Sequence, residues 1–190
     1  MDPSQFRIEI VQALVSVAGE NYKENTRIAN VLDDKAQKAG ALAGAFLAAG
    51  FAFIKTENFG PASPLNRLAG LPGLLLLAVC IGLLLLSTIL ALRTMWVRAV
   101  PAPMSLAVMQ EMSEDLLDIS DNELDRPTQE NYFRDQGTVW AGALEKQLAA
   151  NANKAKYLRA SQLALTGAIV CGAVTLLEIL GKVIYYRLVR

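Results

Sequence analysis

The hydrophobic positions of this chain fall into three blocks separated by charged stretches. The longest, residues 74–92, reads LLLLAVCIGLLLLSTILAL, and within it only Ser87 and Thr88 are polar. About 20 apolar helical residues at roughly 1.5 Å each match the hydrocarbon core of a bilayer. The block is therefore predicted to be a transmembrane helix. Pro72-Gly73 breaks the chain before it, and Arg93, Trp96 and Arg98 follow it, residue types that suit a headgroup interface.

The first block, AGALAGAFLAAGFAFI at 39–54, lies between Lys38 and Lys55, which can snorkel and extend a short span. Gly40, Gly44 and Ala48 recur at i+4, as do Ala41, Ala45 and Ala49. In lipid, such small-residue rows let helix backbones approach closely. The third block, centred on 163–177 and spanning about 160–180, carries a similar row through Ala164, Ala168 and Gly172. Beyond it stand the i, i+4 pair Glu178 and Lys182, then Tyr185 and Tyr186.

Between the blocks the period is helical. Ile8, Val11, Val15, Ala18, Tyr22, Asn25, Ala29 and Leu32 follow a 3-4 spacing, which puts one seam along a helix. Packing on neighbours within the chain is the simpler reading. A coiled-coil contact between subunits, with Asn25 fixing register, is the other. No breaker separates residues 20 and 54, so this helix is expected to run directly into the first block. Residues 55–73, with three Pro and three Gly, form a connecting loop that makes the first two spans an antiparallel hairpin. An amphipathic helix is predicted at 105–119, with Val108, Met112 and Leu116 on one face, and Ser120 with Glu123 fits a capping box. A further helix is predicted from about Asn131, with a seam through Ala141, Leu144, Leu148, Asn151, Ala155 and Leu158 that leads into the third block.

Charge sets the orientation. Lys and Arg number five in 1–38 and eight in 93–159, against two in 55–73 and three in the tail. The positive-inside rule places 1–38 and 93–159 in the cytoplasm. Three spans then put the C-terminus outside, with Lys182, Arg187 and Arg190 lying along that interface. The expected fold is an all-α integral membrane protein with three transmembrane helices and a cytosolic helical stalk. Its parts are a cytosolic amphipathic helix (1–38), a transmembrane hairpin (39–92), a cytosolic helical segment (93–159), and a third span with a basic tail (160–190). The N-terminus, MDPSQFRIEI, lacks the basic and apolar regions of a signal peptide.

The 190 residues are 53% hydrophobic and 19% charged, with zero formal net charge, so no bulk field favours nucleic acid. There is no His, and no glycine-rich phosphate loop or serine elbow, so no enzyme is expected. Cys80 and Cys171 lie in apolar blocks without CxxC spacing, which argues against a disulfide. The acidic run Glu111, Glu114, Asp115, Asp118, Asp121, Glu123 and Asp125 lacks the order of a calcium loop and reads as a solvated face; no metal site is expected. The cytoplasmic ends of the three spans gather Asp33, Asp34, Lys35, Lys38, Arg93, Arg98, Lys154, Lys156 and Arg159. Interface anchoring is the simpler reading. A charged collar that closes the spans and answers to an anionic ligand is the functional alternative.

The order of parts also carries a resemblance. Asp33-Asp34-Lys35-Ala36 leads directly into a small-residue span, a Leu-rich span and an acidic insert follow, and Gln147, Asn151, Lys154, Leu158 and Arg159 lead into a last span. Over roughly residues 20–180 this resembles the Pycsar transmembrane effectors and their SLATT-like relatives in bacterial anti-phage nucleotide signalling. The resemblance implies a homo-oligomer in the bacterial inner membrane, N-terminus cytoplasmic, that responds to a cyclic nucleotide and disrupts the membrane. It implies no other cofactor. A constitutive membrane scaffold or accessory subunit of a larger complex is the alternative reading.

Overall fold

The computed structural model describes residues 3–53, 64–97 and 126–188, and within them every regular element is helical. Helix α1 runs from Pro3 to Phe53, α2 from Pro64 to Trp96 and α3 from Arg126 to Leu188. The absence of Pro between residues 4 and 53 lets α1 continue as a single helix of 51 residues. The 63-residue α3 begins at Arg126-Pro127, where a proline in the first turn removes an N–H that has no helical partner. It thus starts earlier than Asn131. The predicted helix at 105–119, the capping box at Ser120, the acidic run and residues 54–63 lie outside the described residues.

The predicted 55–73 loop is helical from Pro64 onward, but α2 is broken at Gly70, with φ 61° and ψ −176°. A side chain is strained at that φ, and Pro72 removes a further helical donor. The uninterrupted apolar rod therefore follows this break. Among the described residues, two helical stretches are long and apolar enough to cross a membrane: Gly70–Trp96, and the part of α3 within Arg134–Tyr185. Only 17% of the most apolar window of each is buried, whereas the core helix of a water-soluble domain is mostly covered.

The chain divides into two compact units. The first takes Met1–Val31 and Arg98–Ala152. Here α1 and α3 run parallel: Val15 lies beside Gly137, the rings of Tyr22 and Trp140 meet edge to face at 5.6 Å, and the Asn151 amide donates to the Asn25 carbonyl at 2.8 Å. Tyr22 and Ala29 of the α1 seam are buried, and Val15, Ala18 and Asn25 are half-buried. On α3 the buried positions are Gln136, Ala143, Gln147 and Asn151, whereas Ala141 and Leu148 are exposed. Of the seam expected through Ala141, Leu144, Leu148, Asn151, Ala155 and Leu158, Asn151 and Leu158 are buried and Leu144 is half-buried, whereas Ala141, Leu148 and Ala155 are exposed, and the amides Gln136 and Gln147 are buried in addition.

The second unit takes Leu32–Val97 and Asn153–Arg190, and packs three helices together. Gly40 approaches Ala91, and Ala43 shares a cluster with Leu84, Leu165 and Ala168, with Leu47 and Leu83 against it. From 40 to 43 the partner positions on α2 fall from 91 to 84, so α1 and α2 are antiparallel. Against α1, α3 is parallel, since Asp33 meets Lys154 and Ala43 meets Leu165.

Candidate functional site

The interior of the second unit is built mostly from small and polar side chains, with Leu84, Leu158 and Leu165 buried among them. Ala36, Ala39, Ala43, Ala91, Ala164 and Ala168 are buried there with Ser87, Thr94, Ser161 and Thr175. Large apolar residues such as Leu75, Ile89, Leu163, Leu176 and Leu177 point outward, the last two with 67% and 68% of their surface exposed. In water the opposite distribution is the rule. Hydrocarbon does not penalise exposed leucine, and helix association there relies on close packing and hydrogen bonds.

Two contacts show how close the helices lie. Ser87 Oγ donates to the Ser161 carbonyl at 3.0 Å, and Ser161 Oγ donates to the Ser87 carbonyl at 2.9 Å, with the two hydroxyls 3.1 Å apart. This reciprocal clamp joins α2 to α3 with both serines fully buried. Seven residues earlier on α2, the Cys80 thiol donates to the Ala168 carbonyl at 3.2 Å. Neither Thr88 nor Thr175 crosses to another helix; each hydroxyl donates to the carbonyl four residues back. Serine has room to reach sideways only where the neighbouring backbone is near, which Ala164 and Ala168 allow on the same face of α3.

The small-residue rows divide unequally. A Cβ added at Gly40 would lie 3.3 Å from Ala91 Cβ, and one at Gly172 would lie 3.7 Å from Cys80 Sγ. Ala164 and Ala168 are buried. Gly44, by contrast, has open space where its side chain would be, and Ala48 is exposed. The row that packs within the chain is Ala36, Ala39 and Ala43, one residue earlier in the turn. Ala41, Ala45 and Ala49 all face outward. Between the helices lies a cavity of about 340 Å³, bordered by Phe46, Leu47, Cys80, Leu84, Ala168 and Leu176.

The charged residues proposed as a collar take four different situations. Lys154, with 2% of its side chain exposed, donates to both oxygens of Asp33 at 2.7 and 2.6 Å and so ties α3 to α1. Asp34 and Lys38 pair along α1 at 2.7 Å, both largely in solvent. The Arg93 guanidinium lies 4.9 Å above the Tyr157 ring, a cation–π contact between α2 and α3. Lys35, Lys156 and Arg159 are exposed. Arg98 lies outside the described residues. The structure thus links Asp33 with Lys154 across two helices and brings Arg93 to α3, while the other charges face solvent. Near the opposite end of α3, Lys182 pairs with Glu178 at 2.6 Å.

In the first unit, Asn151 Oδ1 is buried without a hydrogen-bond partner, although its Nδ2 is satisfied by Asn25. Glu24 and Arg27 form an exposed two-point pair at 2.7 and 2.8 Å, which holds the Glu24 carboxyl below its ordinary value and the Arg27 guanidinium above its own. No group of three or more His, Cys, Asp or Glu is placed to hold a metal ion among the described residues. The chain matches no known protein-family model, no curated protein and no solved structure.

The Ser87–Ser161 clamp was not predicted, yet its signal was present. Ser87 is one of only two polar side chains in a run of nineteen residues, and polar groups in a span face the bundle interior.

Proposed function

We propose that this chain is a non-enzymatic, oligomeric membrane effector of a bacterial anti-phage system that responds to a cyclic nucleotide by permeabilising the inner membrane. The observation that carries the membrane part is the distribution in the second unit, with mostly small and hydroxyl side chains inside and most of the large apolar ones outside. In this reading three spans cross the bilayer, the 39–54 block being the first, with the N-terminus cytoplasmic. The effector part rests on the resemblance in the order of parts. Lys35, Lys156 and Arg159, exposed near the cytoplasmic ends of the spans, are the cations that would meet a nucleotide phosphate. The Asp33–Lys154 and Arg93–Tyr157 contacts are the links that such a charge would bias.

The test is dye release from liposomes carrying the purified protein. A cyclic mononucleotide is expected to trigger release, and Lys156→Glu with Arg159→Glu is expected to weaken that response at least tenfold. Liposomes that stay sealed with every 3′,5′-cyclic mononucleotide would rule out the permeabilising effector. Stable co-purification with another membrane protein in that case would favour the scaffold.

A further inference from the structure

The first unit leaves a second stripe of α1 uncovered. Ile10, Leu14, Val17, Ile28 and Val31 have 44%, 61%, 52%, 40% and 42% of their surface exposed. With Asn21 and Glu24 in the two intervening positions, they follow a strict 4-3-4-3-4-3 spacing over three heptads. This stripe lies about 100° round the helix from the seam through Val15, Tyr22 and Ala29 that packs on α3. Scattered exposed apolar residues are ordinary, but a sustained seven-residue repeat is the pattern of a helix that meets another helix.

We propose that this stripe is a self-association surface, which a second copy of this chain covers through its own α1 in parallel register. The inference rests on the membrane reading above. Because α1 runs unbroken from Pro3 to Phe53, copies inserted in one bilayer with the same orientation present their stripes in the same direction. In that register Leu14, Val17, Ile28 and Val31 each meet their own counterpart. Asn21 meets Asn21 of the second copy, and one amide can donate to the other, so a shifted register would leave both unpaired. Glu24 would bring two like charges together, but Arg27 holds both of its carboxylate oxygens within its own helix and neutralises them. The single acidic position in the seam therefore carries its counter-charge with it.

Disulfide crosslinking in native membranes tests this directly. Leu14→Cys, Val17→Cys and Ile28→Cys are placed on the stripe, and Ser16→Cys and Asn30→Cys on the exposed face that points away from it. The unsubstituted chain, which retains Cys80 and Cys171, is the background. Under a mild aqueous oxidant the three stripe variants are expected to form covalent dimers several-fold more than the two controls. Leu14→Glu combined with Ile28→Glu is expected to reduce the particle size in detergent. Equal crosslinking at stripe and control positions, or none at the stripe, would overturn the proposal. Crosslinks found only in a mixture of Val17→Cys and Ile28→Cys chains would overturn it too, since that result marks an antiparallel pair. Protein that sediments with membranes but gives no stripe crosslink fails this inference alone, whereas protein released from membranes fails the membrane reading.

Discussion

Asp33→Ala is expected to destabilise the protein more than Lys154→Met does, although both break the same ion pair. Lys154 has 2% of its side chain exposed, whereas Asp33 has 37%. Removing the carboxylate leaves an ammonium with neither water nor a counter-charge, and breaking buried pairs in this way costs about 3–5 kcal/mol. Partial hydration near Asp33 brings the expected cost to the lower end, about 3 kcal/mol. At about 2–4 °C per kcal/mol for a chain of this size, the melting midpoint falls by roughly 6–12 °C. Lys154→Met leaves a carboxylate that still reaches solvent, and the methionine fills the space of the lysine stem. Its loss is expected to be less than half as large. Thermal unfolding in detergent, followed by helical circular dichroism, measures both variants. Equal losses would mean that Lys154 is hydrated in solution.

Ser87→Leu is expected to separate α2 from α3, while Ser87→Ala leaves them together. Ser87 and Ser161 are fully buried and bond to each other's backbone at 2.9 and 3.0 Å. After Ser87→Ala, the Ser161 hydroxyl can still donate to the carbonyl of residue 87. Interhelical bonds of this kind average about 0.6 kcal/mol in membrane proteins, so the midpoint moves by roughly 1–2 °C. Leucine adds two heavy atoms beyond the space of a hydroxyl, against a helix face made close by Ala164 and Ala168. Overpacking costs about 1–3 kcal/mol, and the position has no lipid-facing rotamer to escape into. A shift of roughly 2–12 °C is expected, together with faster aqueous thiol labelling of Cys80, whose hydrogen bond to Ala168 lies on the same interface. Unchanged labelling and an unchanged midpoint in Ser87→Leu would show that the two helices do not meet at Ser87.

Much of the architecture was legible in the sequence. The single helix from Pro3 to Phe53 followed from the lack of any breaker after Gly19, and the α1 seam through Val15, Tyr22 and Ala29 followed from its period. A break before the Leu-rich rod is read from Pro72-Gly73, and it lies just before them, at Gly70. What misled the reading was the choice of which residues are buried. On α3 the expected seam holds at Asn151 and Leu158, which are buried, but Ala141, Leu148 and Ala155 are exposed and Gln147 and Lys154 take the buried positions beside them. A rule that buries the most apolar face assumes water outside and no partner helix, and amide and ion-pair partners on α1 reverse the preference. The small-residue row of α1 is divided: Gly40 lies against Ala91, whereas Gly44 and Ala48 do not meet the other helices of the chain. Gly44 and Ala48 satisfy the i+4 spacing as well as Ala39 and Ala43 do, and composition cannot decide which row of one helix faces its neighbours in the chain. Of the charged collar, the Asp33–Lys154 pair joins two helices because α1 and α3 run parallel, a direction that the order of spans implied but residue spacing alone did not fix.

Alkaline carbonate extraction of membranes from cells producing the full-length chain tests the central claim most directly. The protein is expected to remain in the membrane pellet at high pH and to enter solution only with detergent. A chain that washes off with carbonate, and stays dispersed and helical without detergent, would show that its outward-facing leucines are covered by something other than lipid.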